Sequence, residues 1–294
     1  MADVTPAAAI APQARFGLQE LRGFVRRNPT VAIGSVLLLA IVLAAVFASW
    51  IAPGDPQELH PDLRLRPPSR EFWFGTDMYG RDVFTRTIHG SQISLFVGSV
   101  VALVSVGCGL VIGLFTGYVR TIDGIVMRVM DGLMAIPDIL LAIAMMAVFR
   151  ASVKNVVIAI TIPQVPRVVR LVRSVVMTIR ERPYIEAAHA SGTSFRRILT
   201  RHLLPNTIAP LIVQATYTGA AAVLTEAGLS FLGAGTPPNI PSWGNMMAEG
   251  RSFFQIATWI ILFPGMFLAI TVLAVNLLGD GLRDAFDPRL RRRM

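Results

Sequence analysis

Six stretches of this chain are apolar over lengths that span a bilayer: 31–52, 93–119, a third ending at 149, a fourth starting near 153, 207–232 and 256–278. Lipid offers the backbone no hydrogen-bond partner, and about 20 helical residues cross a hydrocarbon core, so each stretch reads as a transmembrane helix. The expected fold is an all-α integral membrane protein of six transmembrane helices. With 53% hydrophobic and 15% charged residues, the chain also has too few charges to cover a soluble globule of 294 residues. A net charge of +9 would suit nucleic acid only on a basic face free of apolar runs, and here the arginines lie between such runs. Membrane lipid is an expected partner and nucleic acid is not.

The runs divide the chain. Residues 1–30 form an N-terminal segment in which Leu18, Leu21 and Phe24 suggest a short amphipathic helix. The first span, 31–52, follows Arg22, Arg26 and Arg27, as in a signal peptide, but its 22 residues exceed an apolar signal core of about 7 to 15 and Trp50 spoils a cleavage site. It is read as uncleaved. Residues 53–92 are polar and proline-rich, 93–282 hold the five remaining spans, and 283–294 are a basic tail. With both termini in the cytoplasm, only Arg64, Arg66, Arg70, Arg81, Arg86, Arg150, Lys154 and Arg251 of the 27 Lys and Arg fall outside. The positive-inside rule therefore places 53–92 outside and 183–205 in the cytoplasm.

Within the spans, Ser105, Gly109, Gly113 and Gly117 recur every four residues, a stripe that lets another helix approach closely. Cys108, the single cysteine, is read as packing. Arg128 and Asp131 are spaced to pair, and Pro137 with Asp138 marks a kink. The fourth region is interrupted by Pro163, Gln164, Pro166 and Arg167, which suits a helix lining a cavity better than one facing lipid. The fifth carries Gln214 and Glu226; an acid in a membrane is a functional candidate, and a solvated place near the outer interface fits Glu226 equally. Asp131, Pro163, Gln164, Gln214 and Glu226 are the candidate pathway residues. Trp243 suits an interfacial belt.

Residues 183–205 stand apart, being polar, basic and helix-forming between two apolar regions. Pro183 can open a short helix and Gly192 can close it in the left-handed conformation. Thr193 or Ser194 then caps a second helix, which Pro205 ends. Phe195, Ile198, Leu199 and His202 share one face of that helix, with Arg196, Arg197 and Arg201 on the other. By charge alone this is a basic loop on anionic lipid. The spacing of Glu186-Ala187-Ala188, Gly192 and Leu204-Pro205, however, resembles the EAA loop of ABC importer permeases, with His202 where that family commonly has Ile.

Two further segments resemble the dipeptide, oligopeptide and nickel permeases. FGTDMYGRDVFTRTIHGSQISL carries Gly75, Asp77, Gly80, Arg81 and Asp82, which without the resemblance would be two glycine turns and a surface Asp/Arg pair worth about 0 to 1 kcal/mol. SFLG at 230–233 with PPNIPSWGNMMAEGR is the second. Together with the EAA stretch, the resemblance runs from the first span to Glu249. It implies a type I importer permease fold of the second-permease kind in a prokaryotic inner membrane. It implies as partners a second homologous permease, two ABC ATPase subunits and an extracytoplasmic substrate-binding protein, with 183–205 as the coupling helices docking on an ATPase. The cargo would be di- or oligopeptides, or alternatively nickel or another small solute.

No phosphate-binding loop of the form GxxxxGK[ST] exists, because the only lysine, Lys154, follows Val153. ATP and its magnesium are thus expected on partner subunits, with no cofactor in this chain. His60, His89, His189 and His202 form no HExxH pattern, so neither a metal site nor a catalytic group is expected. An intramembrane enzyme and a self-gated channel are the alternatives from other classes; neither needs a cytoplasmic docking helix.

Overall fold

The computed structural model describes residues 28–286. The expected helix through Leu18, Leu21 and Phe24 and most of the basic tail lie outside the described residues. Among those described, the regular structure is helical apart from one isolated bridge between Thr76 and Asp82, and 52–82 and 232–242 are largely irregular connections. In order come α1 (Pro29–Val46), α2 (Val83–Tyr118), α3 (Arg120–Met134), α4 (Asp138–Val148), α5 (Val153–Arg180), α6 (Pro183–Ala190), α7 (Leu204–Phe231), α8 (Trp243–Gly250) and α9 (Trp259–Phe286). Five helical segments are long and apolar enough to cross a membrane, and α3 with α4 makes a sixth if taken as one broken span. Both ends of the described chain lie at one end of the bundle, here the lower, where Gly281 of α9 meets Val31 of α1.

The stripe on α2 finds its partner within the chain. A Cβ on Gly113 would stand 2.6 Å from Val172 Cβ, and one on Gly117 2.7 Å from Val176 Cβ. Val168, Val172 and Val176 are stiff, β-branched knobs, so α5 presents a fixed ridge to a groove that only small residues leave open. Cys108 is exposed and does not pack as expected.

Helix boundaries depart from the apolar runs where polar side chains extend a helix. The second span begins at Val83, ten residues before its apolar run, because Asp82 caps it by accepting from Phe84 N–H at 3.2 Å and Thr85 N–H at 3.0 Å. The expected kink at Pro137 is a break: α3 and α4 meet at 86°. α5 stays helical through Pro163 and Pro166, both buried against neighbours.

Pro205 does not end the second helix of the 183–205 stretch. One turn at Phe195–Arg197 widens into a π-helix over Ile198–Leu203 and runs on into α7. A proline removes one N–H and crowds the carbonyl four residues back. The wide turn relieves that crowding, and Asn206 Nδ2 donates to the His202 carbonyl at 2.6 Å.

Candidate functional site

At the lower end, α6 leaves α5 with Pro183 in its first turn and anchors itself by Ile185, which is fully buried. Glu186, Ala187 and His189 are exposed and Ala188 is half-buried. Gly192 closes the helix at φ 72°: its N–H donates to His189 O at 2.9 Å, while Thr193 N–H donates to Ala188 O at 3.0 Å. These two bonds make a Schellman closure, which places its C′ residue in the left-handed region. No neighbour lies within 4 Å of a Cβ built there, so conformation alone demands glycine. Ser194 occupies the next cap position by its backbone but makes no side-chain cap bond.

Beyond the turn, Ile198, Leu199 and Leu203 are buried with Ile185, Val172 and Val176 in one lower core. Arg196, Arg197 and Arg201 are exposed, and so is Pro205; His202 and Leu204 are half-buried. Phe195 stays 42% exposed, with its ring 5.1 Å from Tyr118. The Tyr118 hydroxyl meets His189 Nε2 at 3.0 Å, and Arg180 Nη1 donates to the Gly117 carbonyl at 3.0 Å. A recess of about 410 Å³ opens here between Tyr118, Arg120, Arg180, Glu181, Glu186 and His189. The α6 hairpin is thus braced from beneath by apolar anchors and presents charge outward.

The five candidate pathway residues do not converge on one site. Asp131 pairs with Arg170 at 2.7 Å instead of with Arg128. That contact is one rung of three between α5 and the broken span, the others being Arg167–Asp138 at 2.6 Å and Arg173–Asp123 at 2.5 Å. Gln164 lies next to the ladder, donating to Asp138 at 3.4 Å, and Pro163 is buried one residue away. Gln214 bonds Thr218 at 3.2 Å and lines a separate recess of about 440 Å³ with Leu171, Pro210, Tyr217 and Arg283.

Glu226 belongs to the upper half and is fully buried, which decides against a solvated interfacial place. Ser230 donates to it at 2.8 Å and Ser94 at 3.3 Å. Ser230, Thr236 and Ser242 continue a chain of hydroxyls to Asn245, whose amide donates to the carbonyls of Thr236, Pro237 and Ile240. The carboxylate therefore holds the 232–242 connection onto α7. Trp243 is not in an interfacial belt; it is fully buried, with Nε1 donating to Thr87 O at 3.1 Å.

The GTD and GRD residues form a buried knot at the upper end, not a surface pair. Arg81 Nε reaches Asp77 at 2.6 Å and its Nη2 reaches Glu249 at 2.5 Å; Arg86 Nη1 reaches the same two carboxylates at 2.5 and 2.7 Å. Gly75 and Gly80 make the two turns that fold 53–82 back onto α2, at φ 73° and 78°. Arg86 and Glu249 were not singled out as site residues. Their signal was an arginine held inside an otherwise uncharged helix start and a glutamate in the AEGR end of the second matching segment.

Residues 109–292 match the family described as binding-protein-dependent transport system inner membrane component, and residues 21–68 match the N-terminal TM domain of oligopeptide transport permease C. The probable peptide ABC transporter permease protein y4tQ of Sinorhizobium fredii is 52% identical over 268 residues, 91% of this chain and 92% of the relative. The dipeptide transport system permease protein DppC of Escherichia coli is 40% identical over 300 residues, 99% and 100% of the two chains. Among solved structures, the MetNI methionine ABC transporter in an inward-facing form aligns with TM-score 0.51 and 23% identity, over 69% of this chain and 97% of that one, which supports the fold alone. These relatives are transport components, not enzymes. The chain belongs to the family of inner membrane components of binding-protein-dependent transport systems, and is a multi-pass permease subunit of an ABC importer.

Proposed function

We propose that this permease serves a di- or oligopeptide importer and receives the stroke of its ATPases through residues 183–205. The observation that carries the coupling role is the α6 hairpin, where Glu186, Ala187 and Arg196 are exposed while Ile185, Ile198 and Leu203 lock it to the lower core. A lever must bury its root and expose its contact surface. The names of the relatives support the peptide cargo.

In this reading the lower end is cytoplasmic, both termini lie there, and 53–82 faces outward in a prokaryotic inner membrane. Two ABC ATPases bind ATP and magnesium and dock on the hairpins of this chain and of a second homologous permease. An extracytoplasmic binding protein delivers the cargo. ATP-driven closure of the ATPases shifts the hairpins as rigid bodies and rocks the paired permeases between their two openings.

The test is ATP hydrolysis by the reconstituted complex with binding protein that is empty, loaded with a short peptide, or loaded with a nickel complex. Stimulation by the peptide-loaded form alone is expected. Stimulation by the nickel form alone moves the cargo to nickel, and an assembled complex that contains no ATPase overturns the coupling role.

A further inference from the structure

We propose that the three Arg–Asp rungs between α5 and the broken span line a water-filled route through the lower half of the membrane, with Arg170–Asp131 as the rung a zwitterionic peptide engages by its two termini. The proposal rests on the importer reading above. It starts from which residues α5 exposes. Over its lower half, from Gln164 to Arg180, the fully exposed residues of this helix are Arg167, Arg170, Ser174 and Thr178, spaced three, four and four residues apart; Lys154 and Ile158 are exposed nearer its start. That stripe carries no apolar side chain. On α1 the outward residues include Val36, Leu39 and Leu43, and on α9 Leu262, Met266 and Leu273, as lipid contact requires.

Depth adds to the contrast. At 1.5 Å per residue the 28 residues of α5 run for roughly 42 Å against a hydrocarbon core of about 30 Å; counted down from Val153, Arg167 and Arg170 stand roughly 21 and 26 Å below its outer end, in the cytoplasmic third of such a core. Charged side chains at that depth face water or protein. The broken backbone between Met134 and Asp138, across the ladder from α5, is likewise tolerated only beside protein or a water-lined cavity.

The rungs also differ among themselves. The side chains of Arg173 and Asp123 are 25% and 22% exposed and joined by two bonds, at 2.5 and 2.6 Å. Arg170 and Asp131 are 51% and 59% exposed and share a single contact. A peptide ammonium can replace Arg170 on Asp131 while the peptide carboxylate takes Arg170, so that neither charge is left bare during the exchange. The lower rung then holds α3 to α5 as the middle one opens.

Two measurements on the assembled complex test this, both with Cys108→Ala to remove the exposed native thiol. First, a charged, membrane-impermeant thiol reagent is applied to Ser174→Cys, a near-isosteric change one turn below Arg170, and to Val36→Cys on α1. Ser174→Cys is expected to react at least about ten-fold faster, and to slow when transported dipeptide is present. A rate as low as that of Val36→Cys overturns the water-lined route. Second, Arg170→Gln with Asp131→Asn keeps a hydrogen bond across the rung but removes both charges. Dipeptide uptake is expected to fall roughly ten-fold with the ATPases still bound. Uptake unchanged from wild type overturns the exchange. If the wild-type complex imports no dipeptide, the cargo reading fails instead, and the labelling ratio still decides whether the route is wet.

Discussion

Gly192 and Glu186 test the lever at single residues. Gly192 has open space around a built Cβ, so a side chain there meets only the conformational cost of φ 72°, about 1 to 3 kcal/mol for a β-branched residue. Gly192→Val should leave a complex that assembles yet loses binding-protein-stimulated ATP hydrolysis by about ten-fold or more. Normal stimulation would mean that the hairpin tolerates another closure. Glu186 is exposed in the first turn of α6, where a carboxylate suits the helix dipole. Glu186→Lys should insert normally but retain less ATPase in a pull-down, and full retention would remove it from the docking surface. In the upper knot, Glu249→Gln leaves two buried arginines sharing Asp77. Loss of one partner from such a cluster costs about 3 to 5 kcal/mol, which should lower the thermal midpoint of the purified chain. An unshifted midpoint would count against a structural role for the knot.

At the level of elements, the packing of α2 on α5 governs the lower half. Gly113→Leu puts a side chain where Val172 Cβ stands 2.6 Å from the new Cβ, and overpacking of this kind costs about 1 to 3 kcal/mol. The α5 ridge should be displaced, taking Ile185 and Ile198 of the lower core with it, and the yield of folded protein should fall. Wild-type yield with normal uptake would show that the groove has slack. The stripe was legible in the sequence because a four-residue recurrence of small side chains has one physical use in lipid. Its partner was not, since Val168, Val172 and Val176 look like any other apolar residues until the helices are in contact. The same limit applied to Pro205: sequence rules end a helix at proline, but a π-turn and the Asn206 amide let this one pass through.

For the whole molecule, the described residues begin and end at the lower end, with 53–82 and α8 capping the upper end. Cysteines at Arg70 and Arg196, both exposed, should therefore react with an impermeant reagent from opposite sides of the membrane, Arg70→Cys from outside. Labelling of both from one side would break the proposed topology, and labelling of Arg70→Cys from the cytoplasmic side alone would reverse it. Apolar length led to six spans, the third of them broken, with the 183–205 hairpin between the fourth and fifth. The sequence alone leaves Glu226 between two environments and, without the family resemblance, reads Arg81 and Asp77 as a surface pair.

Local rules determined what a short stretch can settle by itself: span lengths, caps, the Gly192 closure and the absence of a nucleotide-binding loop. Tertiary structure decided which charges meet. Asp131 had Arg128 three residues away and chose Arg170 thirty-nine residues on, because the α3–α4 break lays the two aspartates of α3 and Asp138 of α4 along one face of α5. Arg86 and Glu249 are likewise 163 residues apart. Inside a membrane a charge is stable only beside its partner or water, so the partners of these charges are a property of how the helices assemble, which no spacing along the chain records.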